Sequence, residues 1–349
     1  MMRVVVHAGM HKTGSSSIQG YFQKEQIENI KYARWTDSNH CGIFILLFQQ
    51  EDLLGEYHGF KARGPAFVAT LPDLKAKWLK SLEEDMDSSA DRTVIFSAED
   101  ISWPGFRGAT ERMHKFFKRW TDDVKVVAYA RSPLSFALSA FQQMLKDGGM
   151  KTLNVHALWP NYRARFAALD DIFGAANVDL RLYERTSLFG GDVVSDFASA
   201  IGIDIGSAPT PQANLSLSAE AIALLFMQRR LGEGYLSGFD GAQAGNNRFV
   251  NKLLKIGNRN LMFSDELWQP VVQKNLADLK WMEERLGKEL IADFTGNEIK
   301  ISSEEDLLQL AVQSYGAVES ALIDSITHST RGMKERTVRA LDLLRKDSY

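Results

Sequence analysis

Short apolar blocks and longer segments with helical periodicity alternate along the first half of the chain. Four blocks predict strands, three of them as continuous apolar runs and the last as an alternation of apolar and polar positions. These blocks cover residues 3–8, 93–97, 125–130 and 178–183. A fifth apolar run, residues 43–48, fits a strand or a helix equally well.

Helical patterns lie between the strand blocks, over residues 74–86, 112–120, 134–147 and 162–173. Strands that alternate with helices predict βαβ crossovers, in which parallel strands share one sheet. The sequence therefore predicts an α/β fold, with three layers around a parallel sheet. Ligands of such sheets bind beyond the carboxyl ends of the strands, so the residues that follow the strand blocks are the candidates for function.

The pattern changes after Ile203. Residues 207–212 contain two prolines and predict a linker, and no convincing strand follows residue 216. Helices are predicted over residues 219–230, 265–286, 304–326 and 331–346. The glycine-rich segment 232–245 is predicted to be a mobile loop. We therefore expect an α/β core over residues 1–205 and a mainly helical C-terminal part over 206–349 that packs on it.

Composition narrows the class of protein. The chain has 349 residues, of which 45% are hydrophobic and 24% charged, as in soluble globular proteins. The net charge of −3 argues against general nucleic-acid binding, and the single cysteine, Cys41, excludes an intrachain disulfide and a cysteine-based zinc site. The N-terminus enters a strand without the pattern of a signal peptide, and no apolar run is long enough to span a bilayer. We expect a cytoplasmic protein, and nothing in the sequence indicates its oligomeric state.

The segment after the first strand has the layout of a phosphate-binding loop. Gly9 to Gly14 interrupt the apolar run, and Lys12 lies within this turn. Ser15, Ser16 and Ser17 then offer N-cap hydroxyls to a segment that reads as a helix. Backbone N–H groups at a helix N-terminus favour a multiply charged anion, and a lysine adds a point charge. The alternative is an ordinary strand-to-helix turn with an exposed lysine.

The order of residues in this loop differs from the Walker A motif, in which lysine directly follows the second glycine. Here Lys12 precedes Gly14, and three serines follow. This order resembles the 5′-phosphosulfate-binding loop of the sulfotransferases, which take a sulfuryl group from 3′-phosphoadenosine 5′-phosphosulfate (PAPS). The resemblance implies that the loop binds the 5′-phosphosulfate of PAPS. The residues implied are Lys12, Thr13, Gly14, Ser15, Ser16 and Ser17.

A second motif begins where the strand block at 125–130 ends. Arg131 is followed by Ser132 and Pro133, which suit the N-cap and first turn of a helix, and serines recur on one face of that helix. An arginine fork beside hydroxyls suits a terminal phosphate. The motif resembles the 3′-phosphate-binding motif of the sulfotransferases, in which a serine lies eight residues after the arginine. Arg131 and Ser139 match that spacing, and a surface arginine beside solvated serines is the alternative.

Two further segments carry a partial resemblance to the same family. Tyr183 ends a strand as the tyrosine of a Tyr-Glu-Asp signature does in cytosolic members, where the ring lies near the adenine. Arg185 stands here in place of the aspartate. Asn214 begins an Asn-x-Ser-Leu-Ser segment, which in bacterial relatives closes over the 3′-phosphate end. A core tyrosine and a plain helix cap at Ser218 are the respective alternatives.

Transfer of a sulfuryl group to a hydroxyl or an amine requires a base to take the proton of the acceptor. Glu99 follows the strand block at 93–97, where the family often has its base, and is the favoured candidate. His11, beside Lys12, is the rival candidate. His7 lies within the first strand and is interpreted as a core histidine.

The sequence therefore predicts a PAPS-dependent sulfotransferase that needs no metal and releases adenosine 3′,5′-bisphosphate. The acceptor is unknown, and a saccharide is one possibility, because six basic residues cluster near the glycine-rich segment. They are Arg229, Arg230, Arg248, Lys252, Lys255 and Arg259. A solvated surface is the alternative interpretation of that cluster. The alternative functions are an ATP-dependent P-loop kinase and a nucleotide-binding protein that keeps the fold without catalysis.

Overall fold

We analysed a computed structural model of the chain. The structure describes residues 1–33, 37–148, 150–206, 216–232, 239–291 and 296–327, together with 332, 337–338 and 341. These residues form two compact units. The first unit takes residues 1–137, 159–213 and 272–292, and the second takes 138–158, 214–271 and 293–349. The division of the chain at residue 205 stays a prediction.

The first unit is built on a sheet of five parallel strands, as the alternation of strands and helices predicted. The strands are β1 (Arg3–His7), β2 (Ile30–Tyr32), β3 (Thr93–Ser97), β4 (Val124–Ala130) and β5 (Val178–Leu182). Their order across the sheet is β2-β3-β1-β4-β5. β2 was not predicted, because three half-buried residues leave no apolar block in the sequence.

Helices of the first unit cover both faces of the sheet. On one face, Val5 and Tyr129 pack with Ile18 and Phe197, which belong to the helices Ser15–Lys24 and Val193–Ala200. On the other face, the Phe96 ring lies 6.3 Å from that of Phe48 and 5.8 Å from that of Phe117. Successive strand residues point to opposite faces, so a sheet covered on both sides requires continuous apolar strands. This is why the strands could be recognised in the sequence.

The helices of this unit are Ser15–Lys24, Cys41–Phe48, His58–Lys61, Pro65–Val68, Leu71–Asp87, Arg107–Phe117, Tyr162–Phe173, Val193–Ala200 and Leu276–Leu286. Those predicted at 74–86, 112–120 and 162–173 agree with the structure to within a few residues. Helices His58–Lys61, Pro65–Val68 and Val193–Ala200 were not predicted. The ambiguous apolar run at 43–48 is helical, and nearly every residue of its helix is buried. The predicted helix over 265–286 is two helices, Asp265–Lys274 and Leu276–Leu286, which are separated at Asn275.

The buried carboxylate of Asp196 connects strands β4 and β5 with helix Val193–Ala200. Asp196 accepts hydrogen bonds from the Tyr129 hydroxyl at 2.8 Å and from Arg181 Nε at 2.6 Å, and also from the Phe189 N–H. Burial by itself raises the pKa of Asp196, but these bonds, that of Arg181 first, hold the pKa below its usual value. The carboxylate therefore stays charged and joins β4, β5 and helix Val193–Ala200 at one point.

The second unit contains helices Ala219–Leu231, Phe239–Leu253, Glu304–Gln313 and Tyr315–Thr327, and residues 138–146 of helix Pro133–Lys146 also belong to it. It also has a parallel pair of strands, β6 (Asn260–Phe263) and β7 (Glu298–Ile301). The prediction of no strand after residue 216 was therefore wrong. The mobile loop predicted over 232–245 was wrong in part, because residues 239–253 form a helix. The linker at 207–212 and most of the final helix lie outside the described residues.

Three of the six clustered basic residues have partners inside the second unit. Arg229 is buried and donates to the carbonyl of Leu145, at the end of helix Pro133–Lys146. Arg230 pairs with Glu304, and Arg259 pairs with Glu220 at 2.8 Å. Arg229 is therefore not part of an exposed basic surface, and the charges of Arg230 and Arg259 are paired with carboxylates.

Candidate functional site

The loop between β1 and helix Ser15–Lys24 has the backbone conformation of a tight turn at two positions. Lys12 and Gly14 adopt φ values of 70° and 77°, in the left-handed region. A lysine in that region costs about 1 kcal/mol or more, and such residues concentrate at functional sites. The helix begins at Ser15 with Gly14 as its N-cap and without a side-chain cap, so the predicted serine N-cap was wrong. The three serines form the first turn of the helix instead.

The hydroxyls of the loop differ in burial and in hydrogen bonding. Thr13 is fully buried, and its Oγ1 donates to the Met10 carbonyl at 2.6 Å, which closes the turn. Ser15 is 2% exposed, and its hydroxyl has no hydrogen-bond partner among the described residues. Ser16 is exposed and Ser17 half-buried. A buried hydroxyl without a partner costs free energy, so Ser15 fits a site that a ligand completes.

Arg131 follows β4 and is bonded to the loop. Its Nη1 donates to the Lys12 carbonyl at 3.1 Å, and its Nε donates to Ser135 Oγ at 2.6 Å. Burial lowers the pKa of Arg131 from its usual value, although the group stays charged at neutral pH. The serine that contacts Arg131 is thus Ser135, one helical turn along, which was seen on the serine face but not assigned. Ser139 lies one turn further along the same helix, and its role stays a prediction.

Tyr183 follows β5 and contacts the loop from the other side. Its N–H donates to the Ala130 carbonyl at 2.7 Å, which continues the ladder between β4 and β5. A Cβ atom added to Gly14 would lie 3.1 Å from the Tyr183 ring and 2.7 Å from Val193. The guanidinium of Arg131 lies 5.7 Å from the centroid of the same ring. We call Lys12, Gly14, Arg131 and Tyr183 the donor cluster. Asn214 lies outside the described residues.

The two candidate bases, His11 and Glu99, are in contact with each other. His11 Nε2 lies 3.4 Å from a carboxylate oxygen of Glu99 and 3.5 Å from one of Asp100. The other oxygen of Asp100 accepts a hydrogen bond from the Tyr57 hydroxyl at 2.9 Å. The imidazole is 44% exposed, whereas the two carboxylates are 14% and 10% exposed. We call His11, Glu99 and Asp100 the base cluster.

An aromatic ring lies beside the base cluster and was missed in the sequence. Trp103 is 45% exposed, and the His11 ring meets it edge-on at 6.5 Å. The guanidinium of Arg165 lies 4.5 Å from the centroid of the Trp103 ring. Burial lowers the pKa of Arg165 to about 10, against the attraction of Asp100. The sequence did contain a signal for Trp103, because this residue follows Glu99 after one short 3₁₀ turn and so had to lie near a candidate base.

His7 lies beneath the loop and is bonded at one ring nitrogen. Its Nδ1 is 2.8 Å from Ser97 Oγ, whereas its Nε2 has no partner among the described residues. Burial lowers the pKa of His7 to about 3, so the imidazole is neutral at physiological pH. The interpretation of His7 as a satisfied core histidine thus holds for one nitrogen only.

Comparisons with known proteins give fold-level likenesses only. No family model matches the sequence, and no curated protein does. One similar solved structure is a sulfotransferase from Alicyclobacillus acidocaldarius, with 17% identity over 64% of this chain and 91% of that one, at a TM-score of 0.39. Another is the sulfotransferase domain from the curacin biosynthetic pathway, with 12% identity over 78% and 97% of the two chains and a TM-score of 0.37.

A third similar structure belongs to the PezAT chromosomal toxin–antitoxin system of Streptococcus pneumoniae, with 14% identity over 73% and 86% of the two chains and a TM-score of 0.31. At these identities and TM-scores the solved structures do not assign the chain to a family. Its function therefore has to be inferred from the site.

No group of three or more His, Cys, Asp or Glu side chains among the described residues is arranged to hold a metal ion. No described helix is both long enough and apolar enough to cross a membrane.

Proposed function

We propose that this chain is a sulfotransferase that moves a sulfuryl group from PAPS to a hydroxyl or an amine. The observation that carries the proposal is the donor cluster. A left-handed lysine loop, a half-buried arginine bonded to that loop and a tyrosine packed on its glycine meet beyond the carboxyl ends of β1, β4 and β5. This edge of a parallel sheet is where nucleotides bind in doubly wound folds.

The donor cluster fits PAPS at both of its charged ends. The loop from Lys12 to Ser17 would hold the 5′-phosphosulfate, and the unpartnered hydroxyl of Ser15 supports this assignment. Arg131, together with Ser135 and Ser139, would hold the 3′-phosphate. Tyr183 would lie against the adenine, and Asn214 stays a candidate for the 3′-phosphate end. When bound, PAPS supplies the sulfuryl group.

Lys12 would supply the positive charge on which the reaction depends. Its backbone is fixed by the bond from Arg131 to its carbonyl and by the turn that Thr13 closes. An ammonium held in advance at the place where negative charge develops lowers the barrier without reorganisation during the reaction. In this proposal Lys12 stabilises the leaving phosphate as the S–O bond breaks, and no metal ion is needed.

The base cluster would take the proton of the acceptor as a unit. His11 Nε2 lies 3.4 Å from Glu99 and 3.5 Å from Asp100, so a proton taken by one of these side chains can pass to its neighbour. Glu99 stays our candidate for the base, and its contact with His11 gives the proton a second place to reside. Trp103 would form a wall of the acceptor site, because its exposed ring lies beside the cluster.

Two alternative functions predict different ligands. A P-loop kinase would bind ATP with magnesium, and a non-catalytic protein of this fold would bind a nucleotide without transferring a group. The acceptor is proposed only as a hydroxyl or amine compound. A saccharide stays one candidate among such acceptors, although Arg229, Arg230 and Arg259 of the basic cluster have partners within the protein.

Thermal unfolding in the presence of nucleotides separates these functions, because a ligand of the native state raises the melting temperature. Adenosine 3′,5′-bisphosphate should raise it without magnesium, and ATP with magnesium should raise it less. The Lys12→Ala variant should show a reduced shift. A larger shift with magnesium–ATP would favour the kinase, and transfer of label from PAPS then separates an enzyme from a binding protein.

A further inference from the structure

A group of buried polar atoms beneath the loop has not been given a role so far. Three side-chain atoms surround the position that a Cβ of Gly9 would take. His7 Nε2 and Thr13 Oγ1 lie 3.1 Å from it, and Ser15 Oγ lies 3.4 Å from it. His7 and Thr13 are fully buried and Ser15 is 2% exposed, so bulk water does not solvate these atoms.

Two of these three atoms lack a partner. The Thr13 hydroxyl donates to the Met10 carbonyl, but His7 Nε2 and Ser15 Oγ make no hydrogen bond to any described residue. They therefore do not bond each other, although both face the same point. Gln19 lies one helical turn after Ser15 on the same helix face, and its buried Nε2 also lacks a partner among the described residues.

Buried polar atoms in native proteins are almost always paired, by ordered water where no protein group is in reach. We propose that a water molecule bridges His7 Nε2 and Ser15 Oγ, and that His7 thereby positions the Ser15 hydroxyl. Water suits a neutral imidazole and a hydroxyl better than an ion does, because it both donates and accepts.

The water gives Ser15 a defined direction for its proton. A hydroxyl has one donor and two acceptor positions. The water donates to a lone pair of Ser15 Oγ, so the Ser15 O–H is left to donate to an anion in the loop. His7 is thus a positioning residue, and this part of the inference rests on the proposed binding of the 5′-phosphosulfate.

A crystal structure of the protein without ligand, at a resolution that shows ordered water, tests the inference independently of any nucleotide. We expect density for one water within hydrogen-bond distance of His7 Nε2 and Ser15 Oγ. Absence of water density between His7 Nε2 and Ser15 Oγ, or a direct hydrogen bond between these two side chains, overturns the inference. The proposed function is unaffected by either of these results.

Two substitutions of His7 distinguish the roles of its two ring nitrogens, Nδ1 and Nε2. His7→Asn places an amide near the position of Nδ1 and keeps the contact with Ser97, whereas His7→Gln places it near the position of Nε2. By calorimetry, His7→Asn and Ser15→Ala should each weaken the binding of adenosine 3′,5′-bisphosphate about two- to tenfold, the range for one hydrogen bond. His7→Gln should bind within about twofold of the wild type. Loss of binding in His7→Gln together with retention in His7→Asn would assign the role to Nδ1 and overturn the inference.

The double variant His7→Asn/Ser15→Ala tests the coupling between the two residues. It should bind no more weakly than Ser15→Ala alone, because both changes remove the same function. Additive losses contradict the inference. If His7→Asn does not fold, Gly9→Ala replaces it. Its methyl group would lie 3.1 Å from His7 Nε2 and 3.4 Å from Ser15 Oγ, so it should displace the bridging water and weaken binding to the same extent. Gly20→Ala is the control, because no atom lies within 4 Å of the methyl group that it adds. Absence of nucleotide binding by the wild type would count against the proposed function, and the crystal structure would still decide on the water.

Discussion

The donor cluster and the base cluster are built in opposite ways. The donor cluster is fixed by its backbone: Lys12 and Gly14 hold a left-handed turn, and the Arg131 side chain bonds a main-chain carbonyl. The base cluster is fixed by side chains, with an exposed imidazole held by two nearly buried carboxylates. A site that is held in place by backbone conformation can bind any ligand of matching charge and shape. A site made of titratable side chains can also accept a proton and transfer it. This difference matches the roles proposed for the two regions, in which the donor cluster would hold a charged ligand and the base cluster would move a proton.

The base cluster should respond most strongly to a change that preserves shape. Glu99→Gln keeps the size of the side chain but cannot accept a proton, so turnover should fall by about 10²–10⁴. Its affinity for adenosine 3′,5′-bisphosphate should be unchanged, since Glu99 does not belong to the donor cluster. Steady-state rates with labelled PAPS and a panel of phenols and sugars provide the measurement. Glu111→Gln, in an exposed ion pair with Arg107, is the matched control.

The rival base is tested by His11→Ala in the same assay. If Glu99 is the base, His11→Ala should mainly weaken the binding of the donor. A dead His11→Ala variant beside an active Glu99→Gln variant would give the role to His11.

In the donor cluster, Lys12→Ala should reduce turnover by about 10²–10³, the loss seen when one preorganised donor to developing charge is removed. The melting temperature should stay close to that of the wild type, because alanine and lysine meet the same restriction at a positive φ. An active Lys12→Ala enzyme would mean that the loop does not perform this chemistry.

The two glycines at the start of the first helix should respond in opposite directions. Gly14→Ala should lower the free energy of unfolding by about 1–2 kcal/mol for its positive φ alone, and the clash with Val193 adds to this loss. Gly20→Ala has open space and should raise it by about 0.5–1 kcal/mol. Chemical denaturation measures both. Equal effects would show that Gly14 does not hold the turn described here.

The pH dependence of stability should reflect the buried histidine beneath the loop. The pKa of His7 is about 3 in the folded protein against 6.5 for the ordinary group, so the unfolded chain takes up the proton first as the pH falls. Its contribution is complete above about pH 6.5 and is lost toward pH 3, by up to about 1.4 kcal/mol per pH unit. His7→Gln should flatten this slope in denaturation measured across that range.

The parts of the fold that could be predicted are those in which burial leaves a pattern in the sequence. Strands β1, β3 and β4 are buried on both faces and appear as apolar runs. Strands β6 and β7 have only four residues each, and the second reads Glu-Ile-Lys-Ile, too short a repeat to separate from a loop.

The candidate site likewise has a part that could be predicted from the sequence and a part that could not. The loop at 9–17 is contiguous in sequence, so its layout is visible there. The base cluster and its partner Tyr57 join positions far apart in the chain, since His11 contacts Glu99 and Tyr57 bonds Asp100. The Arg165 guanidinium and the Trp103 ring on which it lies are 62 positions apart. Only the fold brings these side chains together, so the sequence offered Glu99 and His11 as rivals when they are in fact in contact.

The central claim is that the donor cluster binds a nucleotide with phosphates at both the 5′ and the 3′ positions. Calorimetric titration with adenosine 3′,5′-bisphosphate and with AMP, without magnesium, tests it most directly. The bisphosphate should bind about ten- to hundredfold more tightly, because Arg131 has no 3′-phosphate to contact in AMP and a hydrogen bond to a charged group contributes about 1.5–3 kcal/mol. Arg131→Met should remove most of this difference. Equal affinity of the wild type for the two nucleotides would contradict the claim.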